Sequence, residues 1–416
     1  MTQVKKSAVK KLKSTAVLKE IMAKHYFKLD KASREKSSKV AWCSSVGPAE
    51  LLRSMGFLLY FPENHAAILG ATKAAEEYIP AANAEGYSPD ICSYLTSDIG
   101  AYLKGITHLS RAYDRITQLP DPDLLVYNTN QCRDVKDWFI WYSKKFNVPC
   151  IGVESFCGLD HVTRDHVKAV SLQMAKLVPK LEDISETKFN TEHFQKTIDL
   201  SRRCSILWRQ VLESAANRPS PFTFFDGTVH MGPAVVERGT DAAIKYYEYL
   251  LTELKLRTTA GISAVENEKY RIYWEGMPIW GRLRKMAELF ISLNACVAAS
   301  TYCNSWIFSS LDPQEPFDSM ARAYTELFIV RSDQAKERYI EKMVKQYKID
   351  GIIFHESKTC PNNSNSRYGM HRRLAKALNI PTVVIYGDQN DLRLFSEEQS
   401  ITKIEAFMEQ IRENHK

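Results

Sequence analysis

The chain has no run approaching the roughly 18 apolar residues of a membrane-spanning helix, and its start, MTQVKKSAVKKLKS, lacks the apolar core of a secretory signal. These two absences lead us to expect a cytoplasmic protein that spans no membrane. Nor is there any C-x-x-C pair among the nine cysteines, which stand at 43, 92, 132, 150, 157, 204, 296, 303 and 360. That excludes a zinc ribbon, a thioredoxin-like site and a ferredoxin cluster with closely spaced ligands. Without a secretory signal a disulfide framework is not expected either, so a metal site must gather distant cysteines by folding. Missing too are a G-x-x-x-x-G-K-[ST] phosphate loop, a G-x-G-x-x-G turn between strand and helix, a G-x-S-x-G elbow and an H-E-x-x-H pair. This chain is therefore not expected to bind a nucleotide. The basic-aromatic alternation of a single-stranded nucleic-acid groove is also absent, and nucleic acid is not an expected partner.

What the chain does have is the composition of an ordinary globular protein, 44% apolar and 25% charged, over 416 residues. That length exceeds what one core usually serves and points to two or three domains. The net charge is +7, and Lys5, Lys6, Lys10, Lys11 and Lys13 crowd the start. They read either as a solvated arm or as a binding arm for phosphate or an acidic partner.

Short β-rich runs followed by turn residues and helical periodicity predict parallel βα units. The predicted strands are 39–45, 57–61, 123–129 and 148–154, then 270–275, 295–301, 350–355 and 381–386. Between the two sets, amphipathic helical text dominates, broken at 218–233 by RPSPFTFFDGTVHMGP. The expected fold is α/β, with two Rossmann-like parallel-sheet domains, 1–160 and 257–416, and a helical middle region, 161–256. No sequence repeat is evident, although the two α/β halves read alike.

Ligands of open parallel sheets bind beyond the carboxyl ends of the strands. There stand Ser44-Ser45, Pro62 to His65, Gln131-Cys132, Glu275-Gly276, His355 to Cys360 and Gly387 to Gln389. A site between the two sheets is expected. Glu63 can be read as a helix-capping carboxylate or, in a buried cleft, as a proton-transfer group with a raised pKa. The polar run TCPNNSNSRYG, 359–369, can line a site or merely join two elements.

AWCSSVGPAELLRSMGFLLYFPENHAA, GYSPDICSYLTSDIG, PDPDLLVYNTNQCRDVKDWF and GIIFHESKTC, in this order, resemble the family of 2-hydroxyacyl-CoA dehydratases and benzoyl-CoA reductases. AWCSSVGPAELLRSMGFLLYFPENHAA, 41–67, is similar to the first βαβ unit of the dehydratase catalytic subunits. GYSPDICSYLTSDIG, PDPDLLVYNTNQCRDVKDWF and GIIFHESKTC resemble the three segments that carry cluster cysteines, and RIYWEGMPIW and GDQNDLR extend the match. The resemblance implies a [4Fe–4S] cluster held by Cys92, Cys132 and Cys360 with one iron open, and Ser45 and Glu63 beside it as catalytic residues. It further implies an acyl-CoA thioester substrate, a smaller homologous cluster-binding subunit, and a separate ATP-hydrolysing iron–sulfur activator that delivers a low-potential electron. Residues 213–250 and DICSYLTSDIG lean toward the larger subunit of benzoyl-CoA reductase, whereas the Ser45 and Glu63 contexts and GDQNDLR lean toward the dehydratases; the reductase is the reading we favour from sequence. A non-catalytic electron-relay subunit is the remaining alternative. Cys43, Cys150 and Cys296 fall in predicted strands and are expected to be buried packing residues.

Overall fold

Eight parallel strands in two four-stranded sheets organise the protein in a computed structural model that describes residues 11–113 and 116–415. Lys5, Lys6 and Lys10 lie outside the described residues; Lys11 and Lys13 are exposed. The first sheet contains β1 (Val40–Cys43), β2 (Leu58–Tyr60), β3 (Leu124–Asn128) and β4 (Cys150–Val153) in the order β2-β1-β3-β4. The second contains β5 (Tyr270–Glu275), β6 (Ala295–Ser300), β7 (Gly351–Ser357) and β8 (Thr382–Gly387) in the order β6-β5-β7-β8. Each predicted strand is present, with ends that differ by a residue or two at most. The two sheets also share one strand order, so the halves are alike in topology without a sequence repeat.

Burial explains why these strands read as continuous apolar runs. Trp42, Leu125 and Val126 are fully buried, and in β5 Ile272 and Trp274 face one apolar cluster while Tyr273 faces another. Parallel sheets covered on both faces take apolar residues at every position. The larger cluster runs from the first sheet through the middle helices to one face of the second.

The middle region supplies the long helices Thr191–Glu213 and Asp241–Thr259, with Arg164–Lys176 and Val178–Ser185 before them. Within the segment expected to be a break, residues 224–230 instead form a helix. Its start is a capping box in which the Thr223 side chain accepts from the Asp226 N–H, and Asp226 accepts in return from the Thr223 N–H at 2.9 Å. The proline-rich approach to this box masked it. Among the described residues, no helix is long and apolar enough to cross a membrane.

A buried ion pair fastens the middle region to the first sheet. Glu50, on the short helix after β1, accepts from Ser201 Oγ at 2.7 Å and Tyr324 Oη at 2.6 Å, and lies 3.3 Å from Arg238 Nε. Arg238 also donates to Val235 O at 2.6 Å and is packed among the rings of Phe61, Phe308 and Tyr324.

Candidate functional site

Loops from both sheets close around a cavity of about 500 Å³. Ser45 reaches it from the loop after β1, Glu63 from the helix Pro62–Ala71 after β2, and Cys132 from the turn after β3. From the second sheet come Cys360, after β7, and Gln389, after β8. Cys92 arrives by another route, at the start of the helix Ser93–Leu103 in the long connection between β2 and β3. The five residues expected to form the site therefore line one cavity. Most of its remaining wall is apolar or aromatic, including Tyr94, Trp280, Tyr302 and Trp306.

The three cysteines share a local design. Each occupies the N-cap of a helix: Cys92 of Ser93–Leu103, Cys132 of Arg133–Phe146 and Cys360 of the single turn Pro361–Asn363. At such positions the peptide N–H groups favour negative charge on sulfur. Burial nevertheless dominates and pushes the Cys132 thiol up to about 12 and the Cys360 thiol up to about 11. Cys92 is raised as well, first by burial and then by repulsion from Cys132 and Cys360. The amides of Leu95, Val135 and Asn363, each three residues beyond its cysteine, pull the other way. Free thiols here stay protonated at neutral pH, and only a positively charged centre would convert all three to thiolates.

Hydrogen bonds join the three loops pairwise, through neighbours of the cysteines. The Cys92 N–H donates to Asp134 Oδ2 at 3.0 Å, linking the first loop to the second. The Ser93 N–H donates to Thr359 Oγ1 at 3.0 Å, linking the first to the third. Asn362 Nδ2 donates to Gln131 O at 2.6 Å and completes the triangle.

Among the described residues, no three His, Cys, Asp or Glu side chains are grouped so that they could hold a single metal ion. Three thiols lining one cavity are the type of ligand that an iron–sulfur cluster takes. Cys92, Cys132 and Cys360 are the cysteines among the residues lining this cavity.

Glu63 is buried at the cavity edge. Its Oε1 accepts the Ser45 N–H at 2.9 Å, whereas its buried Oε2 has no partner within the chain. Burial raises its pKa to about 7, against the lowering effect of the Ser45 and Glu63 amides. Such a carboxyl group exchanges its proton near neutrality.

His65, Glu275 and His355 also stand at strand ends but do not line the cavity. His65 pairs with Asp98 at 2.5 Å in a buried cluster closed by Trp138 and Tyr142. Glu275 is bonded by Thr301 and Asn365, and His355 Nδ1 lies 2.6 Å from Met277 O. These groups hold the fold. The run 359–369 lines the site, through Asn362 and Asn363, rather than merely joining two elements, and Asn365 anchors it to Glu275 of β5. Of the cysteines expected to pack in strands, Cys43 and Cys296 are fully buried, but Cys150 is only partly so, because β4 is an edge strand. The aromatic wall was not read from sequence, since Tyr94, Trp280 and Tyr302 come from three distant segments. The Asp388-Gln389 pair was placed at a strand end but given no role.

Fold and site together define a class of α/β proteins in which two parallel sheets close over a thiol-lined cavity. Residues 44–411 match the family model for 2-hydroxyglutaryl-CoA dehydratase, D-component, and the chain belongs to that family. It is 28% identical over 410 residues to the (R)-2-hydroxyisocaproyl-CoA dehydratase alpha subunit of Clostridioides difficile, covering 98% of each chain. The lactoyl-CoA dehydratase alpha subunit of Anaerotignum propionicum is 28% identical, over 95% of this chain and 97% of its own. A benzoyl-CoA reductase polypeptide of Thauera aromatica is 27% identical, over 94% and 93%. The chain is an enzyme polypeptide of this dehydratase and reductase family.

Proposed function

We propose that the chain is the cluster-binding subunit of an enzyme that removes water from an (R)-2-hydroxyacyl-CoA thioester, with Cys92, Cys132 and Cys360 holding a [4Fe–4S] cluster that leaves one iron open. The observation that carries this reading is that the three cysteines share one cavity with a buried carboxyl group poised near neutrality. When bound, the cluster would supply a low-potential electron and an open coordination position.

The chain's own residues do the remaining work. Dehydration removes one proton from carbon and needs another for the departing hydroxyl group. Glu63 can serve either transfer at Oε2, because the Ser45 N–H already engages Oε1. The aromatic wall excludes water and so strengthens the electrostatic interactions inside. Relatives named as alpha subunits support a partner subunit for this chain, which the family resemblance makes a smaller homologous one. The family resemblance implies that a separate ATP-hydrolysing iron–sulfur activator delivers the electron, and a sequence without a phosphate loop fits the accepting role.

Reduction of benzoyl-CoA is the second reading. It draws support from the resemblance of residues 213–250, from the comparable identity to the benzoyl-CoA reductase polypeptide, and from a wall that suits a flat ring. Anaerobic purification of the whole assembly, followed by assays with an (R)-2-hydroxyacyl-CoA and with benzoyl-CoA, separates the two. Water loss from the hydroxyacyl thioester is the expected result; ring reduction would replace it with the second reading. If Glu63→Gln leaves turnover untouched, the electron-relay role gains.

A further inference from the structure

One buried carboxylate ties the Cys92 loop to the Cys360 loop. Asp388, just beyond β8, accepts on Oδ1 from Ser93 Oγ at 2.5 Å and from the N–H groups of Asn390 and Asp391 at 3.0 Å each. On Oδ2 it accepts from the Thr359 N–H at 3.0 Å and from Thr359 Oγ1 at 2.6 Å, with Ser357 Oγ at 3.4 Å.

The direction of these bonds fixes the next residue. A carboxylate can only accept, so the Thr359 hydroxyl donates to it and is left with acceptor capacity alone. That capacity is taken by the Ser93 N–H and by Gln389 Nε2 at 3.1 Å. Gln389 Oε1 meanwhile accepts from the Ser357 hydroxyl. The amide is thus oriented at both ends. Its NH₂ group faces Thr359 and Cys92, with Nε2 4.0 Å from the Cys92 sulfur. Gln389 is 1% exposed, too enclosed to swing away.

We propose that Gln389, locked by the Asp388–Thr359 pair with its Nε2–H toward the Cys92 sulfur, is a positioning residue that sets the reduction potential of the cluster. This rests on the cluster reading above. An N–H directed at a ligand sulfur stabilises the more electron-rich state, so it favours the reduced cluster. Cys360 has a side-chain amide of its own nearby in Asn363, whose Nδ2 also donates to Met277 Sδ at 3.2 Å. Gln389 differs in being held at both ends.

The test uses the full assembly purified without oxygen, as wild type, Gln389→Met and Gln389→Glu. Met keeps the volume and loses the N–H; Glu keeps an acceptor for Ser357 and adds charge beside the sulfur. Iron and acid-labile sulfide per chain, melting temperature and a reductive titration followed by electron paramagnetic resonance are measured together. We expect loaded variants whose potential moves to more negative values, further for Glu than for Met. A loaded variant with an unchanged or more positive potential overturns the tuning role. If both variants lose iron, Gln389 is a structural support only and the proposal also fails. Wild type without iron or sulfide removes the cluster reading and this inference with it.

Discussion

Glu63 shows how much one side chain's surroundings decide. From sequence it could equally cap a helix or move a proton, since P-E-N suits both. The structure places it in the first turn of its helix, yet its Oε1 bond goes to the Ser45 N–H in the loop after β1. Glu63→Gln should keep iron content and lower turnover by roughly 10²–10⁴-fold, the usual worth of a general acid or base. A cluster-loaded variant with normal turnover would remove Glu63 from the catalytic residues. The raised pKa has a separate consequence for stability. The folded state holds the proton up to about 7, whereas an ordinary glutamate releases it at 4.5, so the folded state binds more protons across that window. Stability from this group is complete below the lower value and falls as pH rises toward the upper, by on the order of 3 kcal/mol at ~1.4 kcal/mol per pH unit. In denaturant titrations from pH 4.5 to 8, the wild type should lose this stability and Glu63→Gln should not.

Elements were the most legible level, and the reason is burial. Strands covered on both faces must be apolar throughout, which is why KVAWCSS and DGIIFH announce themselves between turn residues. The helix Asp333–Tyr347 has equally regular apolar spacing, and Ser332 caps it. The helix at 224–230 was hidden, since T-x-x-D signals a start only weakly beside two prolines and a glycine. How the middle helices dock could not be read at all, for it depends on Glu50 meeting Arg238 across most of the first half of the chain. Removing one partner of a fully buried pair leaves the other charge uncompensated. Arg238→Met should therefore cost about 3–5 kcal/mol in denaturant unfolding, while loss of an exposed pair such as Lys24 with Glu20 should leave stability nearly unchanged. Equal costs would show that the Arg238 pair is not a fastener.

The whole molecule holds what spacing alone could not reveal. Strand ends mark Cys132 and Cys360, but Cys92 carries no such signal, and only the resemblance joins the three as one ligand set. Anything bound by all three sulfurs clamps both sheets, so it should stabilise the whole chain by mass action. Anaerobic reconstitution with iron and sulfide should raise the melting temperature, and chelation should lower it again. Cys132→Ala should abolish both the loading and the rise; an equal rise in that variant would mean that the metal binds elsewhere. The proposed cluster would need a cover against oxygen, and sizing without oxygen should find the chain in an assembly rather than as an active monomer. The triangle of bonds from Cys92 N–H, Ser93 N–H and Asn362 leaves every sulfur out of the contacts that join the loops. Consequently the three loops owe their arrangement to bonds the thiols do not make, and Cys132→Ala should change what the site can hold without unlacing the loops around it.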